Sequence, residues 1–110
     1  MSYQHKDLAA GRWDKLSFVE QMANIGSEVE RAFNWRAKHN LVYCQQAFER
    51  SLELIDLTLD NVKGFARIKE LARLRETIAD YFFGTNEFVS TEESLKKYFL
   101  NFTYAARRDR

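Results

Sequence analysis

The sequence predicts an all-α protein, an up-and-down antiparallel four-helix bundle with a short N-terminal arm. The arm is assigned to residues 1–16 and a single helical-bundle domain to residues 17–110. Three observations predict this. The 110 residues contain no proline and only four glycines, too few turn formers for a sandwich or barrel. Apolar residues recur at steps of three and four over three long segments and a shorter fourth, the period of helices with one buried face. Two Ser-x-x-Glu sequences, at Ser17 and Ser90, have the spacing of a capping box, in which a serine oxygen and a glutamate satisfy free amides of a first turn. With 45% hydrophobic and 30% charged residues, the chain has the composition of one globular domain.

Residues 1–15 mix His5, Lys6, Asp7, Arg12, Asp14 and Lys15 without a period and read as a polar arm or short leading turn outside the core. The first helix runs from the Ser17 cap to about Lys38, with Phe18, Met22, Ile25, Val29, Ala32 and Phe33 on one stripe and Gly26 beside them. Asn40 caps the second, whose stripe is Leu41, Cys44, Phe48, Leu52, Ile55 and Leu59, with Tyr43, Ala47, Leu54 and Leu57 on a second flank. Residues 60–64 break the period. The third helix spans Phe65 to Phe83 on Ile68, Leu71, Ala72, Ile78, Ala79 and Phe82, and Gly84 fits the left-handed residue that closes a helix. The fourth follows the Ser90 cap and carries Leu95, Tyr98, Phe99, Phe102 and Ala106 on one face. Connections this short favour antiparallel neighbours.

Composition excludes several function classes. Seventeen basic residues nearly balance sixteen acidic ones, so no global field calls for DNA or a membrane surface. No long uncharged apolar window and no signal-peptide core is present, and the single cysteine, Cys44, excludes an internal disulfide; the expected location is cytoplasmic, without a membrane. Two histidines, His5 and His39, and one cysteine leave a zinc or di-iron site without ligands. Four scattered glycines form no phosphate loop. No catalytic residue, metal or cofactor is assigned, and Cys44, on the apolar face of the second helix, reads as a small core hydrophobe.

Three constellations stand out. Glu49, Glu53, Asp56 and Asp60 line one edge of the second helix, and residues 41–60 hold a single cation, Arg50. Like charges at that spacing repel, and what offsets them is Lys63, Arg67, Lys69 and Arg73 of the third helix, simple hydration, a divalent cation, or a basic partner. Arg36 and Arg75 fall at apolar angles of their helices, so each is a candidate buried charge, with Glu28 the candidate intramolecular partner. The alternatives are a salt bridge, a subunit contact or an anion pocket. Finally, eight of sixteen aromatics fall between residues 81 and 104. Tyr98 and Tyr104, with Lys96, Lys97, Arg107 and Arg108, form an aromatic and basic surface of the kind that stacks bases and neutralises phosphate; the alternative is cations that complement the helix dipole and a Tyr104 packed against the arm. Trp35, on the polar side of the first helix, is either an interface anchor or packed under residues 1–15.

Residues 22–31, 47–58, Asp80-Tyr-Phe-Phe-Gly84 with Asn86-Glu87, and Tyr98-Phe-x-x-Phe102 with Tyr104-Ala-Ala-Arg107 resemble a family of short prokaryotic helical proteins to which no activity is attached. The stretch from Val42 to Leu54 is more distantly similar to the second helix of HEPN domains, helical bundles that occur as RNases, toxins and nucleotidyltransferase partners. Active HEPN RNases carry an arginine and a histidine separated by four to six intervening residues, late in the chain. Here His39 follows Arg31 by seven intervening residues or Arg36 by two, in the first helix, so that resemblance implies a non-catalytic scaffold. The function expected is a non-enzymatic interaction or accessory protein that self-associates as a homo-oligomer and binds a protein or RNA partner through its aromatic and basic surface. The alternative is a HEPN-like nucleic-acid-acting or nucleotide-binding protein, with Arg36, His39 and Arg75 converging on one site.

Overall fold

A computed structural model describes residues 11–108. A 3-10 turn, Trp13–Lys15, precedes four helices: α1 (Phe18–Ala37), α2 (Leu41–Asn61), α3 (Phe65–Phe83) and α4 (Glu92–Arg108). They form the antiparallel bundle that the sequence predicts. α1 packs closely on α2 and α4, and α2 packs on α3, giving the order α3, α2, α1, α4 around the bundle.

Two of the helix starts are set by the predicted caps. Ser17 Oγ accepts from the Glu20 amide while Glu20 Oε1 accepts from the Ser17 amide, a complete capping box. Asn40 Oδ1 accepts from the Tyr43 amide. Asn40 also closes α1: its amide reaches Trp35 O and the His39 amide reaches Arg36 O, the paired bonds of a Schellman motif. That motif needs one left-handed residue, and His39 supplies it with φ 62°. Three residues therefore suffice to reverse the chain.

The third connection differs from expectation at two points. Gly84 has φ −111° and is not left-handed; its amide and that of Asn86 both donate to Asp80 O. The α4 cap is Thr91 rather than Ser90. Thr91 Oγ1 accepts from the Ser94 amide and Ser94 Oγ accepts from the Thr91 amide. Ser90 is instead held by Asn86, whose side chain accepts from its amide and donates to its carbonyl.

The core contains Met22, Ile25, Val29 and Phe33 of α1 with Leu54, Ile55, Leu71, Ile78, Leu95 and Phe99. A second cluster joins Ala32, Cys44, Ala47 and Phe48 at the α1–α2 contact. Gly26 lies directly under Phe99, which lets α4 close on α1. Five apolar positions fall differently from the prediction. Leu41, Tyr43, Ile68 and Ala72 are exposed, and Leu74 takes an inward place beside Leu71 and Ile78. The larger correction concerns the arm. Trp13 is 2% exposed and belongs to the core; its indole Nε1 donates to Thr58 Oγ1 at 2.9 Å, and Gln21 Nε2 donates to its carbonyl. An isolated aromatic has no period to announce it, so only its packing partners reveal it as core. His5 lies outside the described residues.

Candidate functional site

The predicted site residues separate into those the fold consumes and those it leaves on the surface. Arg36, near the C-terminal end of α1, extends over the rings of Phe33 and Tyr81, and its Nη2 donates to Tyr81 Oη and Glu92 Oε1, both at 3.1 Å. Partial burial opposes its charge, but the bonds to Tyr81 and Glu92 outweigh that penalty and raise the guanidinium pKa. Glu92 is shared. Lys96 Nζ lies 3.0 Å from its other oxygen, and the Lys96 bond, then Arg36, hold the carboxyl below its ordinary range against a desolvation that works upward.

Arg75 is not a buried charge. It leaves the core at the α2–α3 boundary and grips Asp56 with two bonds, Nε–Oδ1 at 2.7 Å and Nη2–Oδ2 at 3.3 Å. The hydrogen bond to Asp56 raises its pKa. Both side chains keep more than a third of their surface in water, so the pair contributes at most about 1 kcal/mol. Glu28 is the buried member of the trio, but its partners are Arg50 and Arg31, each at 3.1 Å, rather than Arg36 or Arg75.

The acidic edge has a different counter-charge from the one expected. Asp56 is met by Arg75, and Glu49 accepts from Gln45. Of the four cations proposed for that role, Arg67 instead covers the ring of Phe18. Among the described residues no group of three or more His, Cys, Asp or Glu side chains is placed to hold a metal ion. Cys44 is buried, and burial pushes its thiol pKa up, away from nucleophilic reactivity.

The aromatic and basic surface is divided. Trp35 is half-buried at the α1–α2 turn, edge-on to Tyr43 and capped by Lys38. Tyr98 donates to Glu70 at 2.8 Å across the α3–α4 side, and burial, then that bond, drive its phenol pKa upward. Lys96 is held by Glu92. Tyr104, in contrast, is 71% exposed, and Lys97, Arg107 and Arg108 are exposed on the same helix. At 3.6 residues per turn, Lys97, Tyr104 and Arg108 share its outer side, opposite Phe99.

Sequence reasoning missed a cleft of about 250 Å³ between α3 and α4, with Leu74 and Leu95 among its apolar lining and Glu70, Arg73, Thr77 and Ser94 among its polar lining. Tyr98, a predicted surface residue, lines it as well; the lining comes from two helices and the loop between them, so spacing within any one element does not reveal that these residues meet. Arg36 and Arg75 are engaged with different carboxylates, and His39 is exposed at the α1–α2 turn. No helix among the described residues is long and apolar enough to cross a membrane. No known protein family, curated protein or solved structure matches this chain.

Proposed function

We propose that this is a non-enzymatic interaction protein of the cytoplasm, self-associating and engaging a protein or RNA partner through exposed aromatic and basic surface, and that it belongs with the short prokaryotic helical proteins it resembles. The observation that carries the reading is the outer side of α4, where Tyr104 stands in solvent beside Lys97, Arg107 and Arg108. An exposed tyrosine beside exposed cations has the composition of an interface that a partner covers. The charged groups best suited to chemistry support the same reading. Arg36, Arg75 and Glu28 hold intramolecular partners, and Arg36 and Arg75 lie on different carboxylates, which speaks against a HEPN-like site in which Arg36, His39 and Arg75 converge.

The test is sedimentation across a concentration series, paired with gel shift of labelled single-stranded RNA at low salt. The reading expects either mass above that of the 13.0 kDa chain or an RNA shift that Tyr104→Ala weakens. A strict monomer that shifts no RNA refutes it.

A further inference from the structure

We infer that single-stranded RNA lies along the cleft between α3 and α4, with a base in the cleft and phosphates on its two cationic lips. The inference rests on the RNA half of the preceding reading and adds the path of the strand. Around the bundle, α3 and α4 are the neighbouring helices that do not pack closely. The bond from Tyr98 to Glu70 spans the gap, and beside it the cleft opens to about 250 Å³. A cavity of roughly 150 Å³ admits benzene, so this one has room for a nucleobase. Leu74, Leu95 and the ring of Tyr98 offer apolar surface to the face of a base. Thr77 Oγ1 donates to Arg73 O, which leaves its lone pairs to accept from a base edge.

The lips are cationic on both helices. Tyr98 shows which flank of α4 turns toward α3, and on that flank Lys97 and Arg108 lie about 100° and 80° outward from it on the helical wheel. On α3, Arg73 lies about 60° outward from Glu70. Lys97, Arg108 and Arg73 are all exposed, and none has an ion-pair partner among the described residues. Beyond the Tyr98–Glu70 bond the antiparallel helices bring Asn101 opposite Arg67. A second contact agrees with that register, since Arg67 covers Phe18 and Phe18 is edge-on to Phe102. Glu70 is the carboxylate within the groove, and the Tyr98 hydroxyl holds one of its oxygens. Glu92 turns instead to Arg36 and Lys96, while Glu76 and Glu93 lie on the wheel beyond Arg73 and Lys97, away from the cleft. Cations along both lips of an apolar slot match a chain that alternates anions with flat rings, which is single-stranded nucleic acid. Tyr104, exposed two turns beyond Lys97 on the same side, stands where a following base can stack.

Fluorescence anisotropy of a short labelled single-stranded RNA, read across a salt series, tests this on variants whose folds helical circular dichroism verifies. Arg73→Gln and Lys97→Gln each remove a phosphate contact and are expected to lower the slope of log affinity against log salt by about 0.7. Thr77→Leu fills the cleft and is expected to weaken binding about tenfold, the scale of one lost base contact; should it lose helicity, Thr77→Met takes its place. Glu70→Gln keeps an acceptor for Tyr98 and removes the negative charge of the groove, so it is expected to tighten binding. RNA binding that Tyr104→Ala weakens, but that Arg73→Gln, Lys97→Gln and Thr77→Leu leave unchanged, overturns the inference and spares the broader reading. A chain that self-associates and binds no RNA has the same consequence. Weaker binding by Glu70→Gln also overturns it, because a carboxylate that assists binding does not face phosphate. A monomer that binds no RNA removes both the inference and the reading.

Discussion

Gly26→Ala tests how α4 is seated. A Cβ built at Gly26 would stand 2.7 Å from both Cβ and Cγ of Phe99 and 2.9 Å from its Cδ1, where carbon atoms settle at about 3.5–4.0 Å. Rotating the ring cannot relieve this, since the Cβ of Phe99 moves only with its backbone, so α4 must shift away from α1 by about 1 Å. Overpacking of this kind costs about 1–3 kcal/mol, and the upper half applies because Phe99 is buried in the main core cluster. Replacing glycine inside a helix returns about 1 kcal/mol of propensity. The net expectation is a loss of about 1–2 kcal/mol, a fall in Tm of roughly 5–10 °C for a domain of this size. Urea denaturation followed by tryptophan fluorescence measures it, with Ser27→Ala, at an exposed neighbour, as the control. A Gly26→Ala protein as stable as wild type refutes the close seating of α4 on α1.

Other perturbations probe the remaining parts. Trp13→Ala should cost about 3–5 kcal/mol, the loss for a large core aromatic, and a loss under about 1 kcal/mol by the same denaturation would return Trp13 to a peripheral arm. Glu28→Ala leaves Arg50 without its buried partner and should cost about 2 kcal/mol, less than for a fully buried pair because Arg50 keeps some access to water; a neutral result would mean that the bonds to Arg31 and Arg50 are not formed. Glu92 has a depressed carboxyl pKa, so its contribution is fully present above the ordinary carboxylate pKa and is lost as pH falls through the depressed value. Glu92→Gln should therefore be less stable than wild type near neutrality and converge with it in acid, and a gap that stays constant into acid would contradict the pairing with Lys96 and Arg36.

The parts of the fold that are local in sequence are legible in it. Ser17 and Asn40 act on amides within three residues, so their roles follow from spacing alone. The α4 start is displaced by one residue because Ser94 and Thr91 satisfy each other, a pairing that competes with Ser90 and Glu93 for the same turn. The apparent burial of Arg75 has a clear origin. α3 has two apolar faces, and a helical wheel that treats them as one finds its centre between them, at Arg75. The structure separates the faces and leaves Arg75 at their boundary, on Asp56. Long-range pairs such as Arg36–Glu92 and Glu28–Arg50 depend on how whole helices are set against each other, which residue spacing does not encode. On the candidate surface, the exposure of Tyr104 follows from its wheel position, whereas the engagement of Tyr98 and Lys96 needs the neighbouring helices in place.

The central claim, that the chain works through exposed surface that a partner covers, is tested most directly by amide correlation spectra of wild type over a dilution series at low salt, without and with single-stranded RNA. Shifts that depend on concentration or on added RNA are expected on the outer side of α4, from Lys97 to Arg108. Shifts confined to the α1–α2 turn around Trp35, or spectra unchanged by both dilution and RNA, would contradict it.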